Sequence, residues 1–137
     1  MQAPAQFIDQ RQVRRNFARA AATYDDVAVL QREVGSRMLE RLDYVRLAPA
    51  AVLDLGCGTG AALTALAERY GKAQVIGADL SEAMLRAGVA QRSRLRWLLP
   101  FVRGQKTPLV AADAAHLPFR AQSIGLCWSN LMLHWVD

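Results

Sequence analysis

The 137 residues are 53% apolar and 21% charged, with a formal net charge of +5 and two cysteines. That is enough apolar material for one core and too little charge for a disordered chain; every apolar stretch is broken by a charge or a proline before it could span a bilayer. No apolar leader opens the chain, and Cys57 and Cys127 are too few for a disulfide framework and lack partners at metal-ligand spacing, so a soluble, cytoplasmic protein without a metal site is expected.

Residues 8–22 predict a short helix, with Ile8, Val13, Phe17, Ala20 and Ala21 set between arginines. Residues 26–47 predict one longer helix, because Val27, Leu30, Val34, Met38, Leu42 and Val45 recur on one face before Pro49 ends the pattern. The period then changes. Ala51–Leu55 is a short apolar run stopped by glycines, the pattern of a buried strand. A helix over 61–70, with Gly71 as its C′ residue, and a second strand over 74–78 follow. Ser81 is placed to cap the next helix, with Glu82 in its first turn. The basic stretch 92–107, with Pro100 and Gly104, ends in a long connection; strands over 109–112 and 124–128 complete the pattern, with Pro118 in a turn between them. Strands alternating with helices predict an α/β fold: a Rossmann-like parallel sheet with a helical N-terminal segment. The division falls near residue 48, with 1–48 as the helical segment and 49–137 as the nucleotide-binding domain.

The chemistry centres on the loop after the first strand. Gly56-Cys57-Gly58-Thr59-Gly60 turns tightly and lets a ligand approach the main chain with no Cβ in the way. With Ala61 it also fits the loose pattern of dinucleotide sites, so a nicotinamide-dependent oxidoreductase has to be weighed. Asp54 argues against it, since a pyrophosphate has no use for a carboxylate beside the loop, whereas an ammonium does. Asp79 ends the second strand, where an acid can accept both hydroxyls of a ribose, and Asp113 ends the third, where it could accept from an adenine amine. Three acids at three strand ends around one crevice suit a cationic ligand that carries an adenosine and no phosphate, which describes S-adenosylmethionine.

These residues resemble a known family. Val52–Gly60, Gly77–Ser81 and Asp113–Phe119 are similar to the successive signature segments of class I S-adenosylmethionine-dependent methyltransferases, over roughly residues 50–137. Phe17–Asp25 with Leu30-Gln31, and Trp128–Trp135, resemble a narrower branch, the malonyl-[acyl-carrier protein] O-methyltransferases of biotin synthesis (BioC). The resemblance implies that Asp54, Gly56, Cys57, Gly58 and Gly60 line the methionine moiety. Asp79 would hold the ribose, Leu80 would pack on the adenine, and Asp113 and Ala114 would read its edge. Asn130 would lie near the methionine end, and Tyr24 and Gln31 would belong to an N-terminal lid. The chain departs from the family at Gly125, where relatives usually carry an aspartate, and in the 34 residues that separate Asp79 from Asp113. It also stops after the fourth of the family's seven strands, so it reads as an N-terminal part, with a fourth-strand edge that a homo-oligomer or further chain would cover.

A malonyl carboxylate is already ionised near neutral pH, so its methylation needs positioning and desolvation and no general base. His134 is the only candidate base, for a hydroxyl acceptor, and a structural or solvent-facing role suits it better. Residues 91–137 hold six basic and two acidic side chains. The arginines near 92–106, with Arg11, Arg14 and Arg15, form a candidate surface for an acidic acyl carrier protein. Neither a nucleic acid nor a membrane is expected as a partner. A methyltransferase of another small molecule and a non-catalytic binding or assembly module remain alternatives.

Overall fold

The computed structural model describes residues 9–98 and 107–136. Helix α1 (Gln10–Ala20) starts where the Asp9 side chain accepts from the Arg11 and Gln12 backbone N–H groups at 2.9 and 3.3 Å. The single helix expected over 26–47 is instead two. Helix α2 (Tyr24–Val27) and helix α3 (Val29–Arg41) meet at Ala28, whose ψ of 42° is not helical, and a 3₁₀ turn covers Leu42–Tyr44. Val45 is extended and 45% exposed, and Leu30 is 63% exposed, so the stripe read from the sequence holds only at its centre. Met38, Leu39 and Leu42 pack against the core.

Strand β1 (Ala51–Leu55) leads through the glycine loop to α4 (Leu63–Arg69), and β2 (Gln74–Asp79) leads through Ser81 to α5 (Glu82–Leu98). Ser81 Oγ accepts from the Met84 N–H at 3.4 Å, as a cap should. Helix α5 carries the chain well into the stretch expected as a connection; residues 99–106, with Arg103 and Lys106, lie outside the described residues. Strands β3 (Leu109–Ala111) and β4 (Leu126–Trp128) are shorter than expected.

The four strands form one parallel sheet in the order β3-β2-β1-β4. Alternation along β1 splits the core in two. Val52, Val75 and Trp128 meet Leu63, Leu66 and Tyr70 on one face, where α3 also packs. Leu53, Leu55 and Ala78 face the segment that contains Leu117, Phe119 and Ile124 on the other. Gly125 donates its N–H to the Ala51 carbonyl at 3.0 Å, and a Cβ there would stand 2.9 Å from the Pro49 Cβ. A side chain at this position would therefore press on Pro49. No helix among the described residues is long and apolar enough to cross a membrane.

Candidate cofactor-binding site

The order β3-β2-β1-β4 brings the C-terminal ends of all four strands to one edge, and a two-chambered cleft opens there. The glycine loop is its floor. Gly56, Gly58 and Gly60 all have positive φ, at 75°, 56° and 86°, and the Gly56 and Cys57 N–H groups bind the Ala78 carbonyl at 2.8 and 3.0 Å. A Cβ on Gly56 would lie 2.3 Å from the Met132 Cγ, so nothing larger than glycine fits. Gly60 does not line the cleft. It faces Arg92 and Leu63, and shapes the loop from behind.

The first chamber lies over the ends of β2 and β3, with α1 above it. Asp79, Leu80, Asp113 and Ala114 line it, together with Met84, Met132 and Trp135, which sequence reasoning did not assign. Asp79 accepts the Gly58 N–H on Oδ2 and the Ser81 N–H on Oδ1, both at 2.8 Å. Burial raises its pKa, and those two bonds work against the rise. Asp113 is more exposed; its Oδ1 accepts the Ala115 N–H at 2.9 Å, which with the His116 ring holds its pKa down.

The second chamber lies behind the loop, between β1, β4 and α3. Asp54, Cys57 and Gln31 line it, and Thr59, Arg32 and Trp128 join them. Asp54 is 3% exposed, and burial, then the charge of Asp79, push its pKa up to about 7. Burial, then Asp54 and Asp79, push the Cys57 thiol upward too, so it is neutral there. Tyr24, Gly56, Gly58 and Asn130 line both chambers and form the waist between them.

The N-terminal helices reach this waist through specific contacts. Phe17 packs edge-on against Tyr24 and Trp135, with ring centroids 6.3 and 6.0 Å apart. Asn130 Nδ2 donates to the Gln31 carbonyl at 2.7 Å. The Thr59 hydroxyl donates to Asp25 Oδ1 at 2.7 Å, and the Arg32 guanidinium donates to the Asp25 carbonyl. Gln31 thus contributes its backbone, and Asp25, which the sequence did not single out, contributes its side chain.

Arg92 moves from its surface reading, whereas His134 does not. His134 is exposed, its ring stacked obliquely on Trp135 at 4.9 Å, and it lines neither chamber. Arg92, read as surface, is half-buried and donates to the Thr59 carbonyl at 3.3 Å. Arg94 and the α1 residues Arg11, Arg14 and Arg15 remain exposed. Among the described residues, no cluster of His, Cys, Asp and Glu could hold a metal ion.

Residues 52–137 match the family model of the methyltransferase domain. The whole chain is 53% identical to 45% of a malonyl-[acyl-carrier protein] O-methyltransferase of Methylovorus sp. (strain MP688). A protein of the same name from Gallionella capsiferriformans (strain ES-2) is 46% identical, over 95% of this chain and 44% of its own length. The chain therefore spans about half the length of these relatives. Among solved structures, the complex between the Haloferax volcanii Trm112 methyltransferase activator and a methyltransferase contains a chain that superposes with a TM-score of 0.63, at 26% identity, over 82% of this chain and 46% of that one. On the family match, which takes in the glycine loop and all three strand-end acids together with the sheet that aligns them, the chain belongs to the methyltransferase domain family.

Proposed function

We propose that the chain binds S-adenosylmethionine and forms the cofactor-binding part of a cytoplasmic malonyl-[acyl-carrier protein] O-methyltransferase, the ester-forming enzyme that the resemblance assigns to biotin synthesis. The observation that carries this reading is the cleft itself: three carboxylates at adjacent strand ends, ranged along two chambers that meet at a glycine waist. The residues fit the cofactor. Asp79 and Asp113 keep lone pairs free for ribose hydroxyls and an adenine amine after accepting their backbone bonds. The buried carboxylate of Asp54 suits an ammonium, and the bare backbone at Gly56 and Gly58 admits a ligand against the main chain.

Bound there, S-adenosylmethionine supplies a methyl group on a positively charged sulfur. The residues of the cleft contribute no proton transfer: His134 lies outside it, and an ionised acceptor carboxylate needs none. Their work is alignment and exclusion of water. Phe17, Tyr24 and Trp135 roof the first chamber with aromatic surface, and the Thr59–Asp25 and Asn130–Gln31 bonds hold that roof to the floor. The names of the relatives support the acceptor, and so does the surface. Arg11, Arg14 and Arg15 stand exposed on α1, beside the cleft, where an acidic carrier protein would be drawn in.

Calorimetric titration with S-adenosylhomocysteine, with NAD as control, tests the cofactor. Micromolar binding of the first alone is expected; binding of NAD, or of neither, overturns the reading. Mass spectrometry of a malonyl-carrier protein after incubation with the full-length protein and S-adenosylmethionine tests the acceptor, through a gain of one methyl group.

A further inference from the structure

One face of α1 lines the first chamber. Gln10, Val13, Arg14 and Phe17 stand at i, i+3, i+4 and i+7 along the helix, and all four contribute to the wall. Two of them hold the helix in place. Gln10 Nε2 donates to the Trp135 carbonyl at 2.7 Å, and Phe17 packs on Trp135 and Tyr24. Val13 is half-buried and apolar, as such a face requires. Arg14 is the exception: a guanidinium on the chamber side of the helix, with no acceptor among the described residues. The chamber's own carboxylates do not engage it. Burial and the Ser81 and Gly58 N–H groups set the pKa of Asp79, and the Ala115 N–H and His116 set that of Asp113.

Charge makes that position informative. Asp79 and Asp113 line the first chamber and Asp25 and Asp54 the second, against two cations among the described lining residues, Arg14 and Arg32. Arg32 already donates to the Asp25 carbonyl. A cationic cofactor suits these carboxylates. An anion that must enter the same cleft is repelled by them, and more strongly in a partly buried site than in water. The acceptor proposed above is such an anion, because its malonyl group ends in a carboxylate. An arginine offers that group two parallel N–H donors in a fork of matching geometry. The product, a methyl ester, carries no charge there and makes no such pair.

We infer that Arg14 is a specificity residue for the acceptor, holding the malonyl carboxylate at the mouth of the first chamber. The inference rests on the acceptor reading above and separates Arg14 from its neighbours. Arg11 and Arg15 line neither chamber, and Arg15 Nε donates to the Arg11 carbonyl at 3.3 Å. They belong to the outer surface that draws in a carrier protein, whereas Arg14 reads what the carrier brings. One charge then distinguishes what is bound from what is released.

The test uses the full-length protein saturated with S-adenosylhomocysteine, so that no turnover occurs. The probes are thioesters of N-acetylcysteamine, which carry neither carrier protein nor phosphate. Calorimetry compares the malonyl thioester with its methyl ester. The parent is expected to bind the malonyl form about tenfold more tightly, and Arg14→Gln to abolish that preference by weakening the malonyl form alone. Arg14→Lys, which keeps the charge and loses the fork, should restore part of it. The position is exposed, so neither substitution should move the melting temperature. Arg11→Gln and Arg15→Gln should weaken the malonyl carrier protein, most at low salt, without changing the preference between the small thioesters. Equal weakening of both thioesters by Arg14→Gln, or of neither, overturns the inference. So does a matching fall in S-adenosylhomocysteine affinity, which would place the arginine over the cofactor. A parent that binds S-adenosylhomocysteine but shows no preference for the malonyl form removes the acceptor reading, and this inference with it. A parent preference that survives Arg14→Gln removes only the inference.

Discussion

Asp54 and Asp79 end neighbouring strands of one sheet and are treated in opposite ways. Asp79 is half-buried, and the fold gives each of its oxygens a backbone N–H, from Gly58 and Ser81. Asp54 is almost fully buried, and its carboxylate meets no hydrogen-bond donor among the described residues. The first carboxylate is part of the architecture: it ties the glycine loop to the start of α5 before any ligand arrives. The second weakens the architecture, since a buried charge without a partner is costly, and its raised pKa expresses that cost. A group that folding leaves unsatisfied is one whose partner comes from outside. The first chamber is therefore prebuilt, while the second is completed by what it binds.

Removing Asp79 should break this contrast most severely. Asp79→Ala leaves two backbone donors without their acceptor, at about 1–3 kcal/mol each. A loss of about 2–6 kcal/mol in chemical denaturation is expected, together with a fall in S-adenosylhomocysteine affinity on the order of a hundredfold. Asp79→Asn keeps one accepting oxygen and should fall between. An Asp79→Ala protein as stable as the parent would mean that water serves Gly58 and Ser81 equally well, and the carboxylate would lose its structural role.

What sequence reading found and missed follows the same division. Strands β1 and β2 were legible to within a residue, because an apolar run stopped by glycine or aspartate has few other readings. The acids at their ends were legible because chain order places them there. Contacts between distant segments were not. The break at Ala28 is invisible in a spacing that continues through it; it accompanies the Thr59 and Arg32 bonds to Asp25, one of them 34 residues away in sequence. Gly88 passed as an ordinary helical residue, yet a Cβ there would sit 2.0 Å from the Thr59 carbonyl oxygen, so the close approach of α5 to the loop depends on it. Arg92 read as surface because a charge run usually is, and only the fold shows that it turns toward that same carbonyl. The indole nitrogen of Trp128, buried without an acceptor among the described residues, offered no signal at all, since an aromatic in a strand reads as core.

Asp54→Asn sharpens the contrast, and its effect has the opposite sign. Asp54 titrates at about 7 in the folded protein against an ordinary 3.8, so between those values the folded state binds more protons than the unfolded one. Stability of the ligand-free protein therefore falls as pH rises from about 4 to 7, by up to about 4 kcal/mol from this group alone. Asparagine removes that dependence, and the variant is expected to be more stable than the parent at pH 8 while losing cofactor affinity. In the parent, an arriving ammonium favours the ionised carboxylate, so affinity should rise with pH up to about 7 and then level off. Denaturation and calorimetry at pH 5, 6, 7 and 8 check both signs. A parent whose stability does not decline over that range would show Asp54 partnered after all.

The smallest effect concerns how the roof is held. Thr59 is 7% exposed and belongs to both halves of the molecule: its carbonyl receives Arg92 of α5, and its hydroxyl donates to Asp25 of α2. Thr59→Val keeps the shape and the carbonyl and removes only the hydroxyl. The net contribution of one such bond is about 1 kcal/mol, so the melting temperature should fall slightly. Binding should report the loss differently. The glycine floor and both carboxylates are untouched, so association of S-adenosylhomocysteine should keep its rate while dissociation quickens a few-fold as α2 lets go more often. A slower association with unchanged dissociation would point to a loop that has lost its shape, and would place the function of Thr59 in the floor of the cleft and not in its roof.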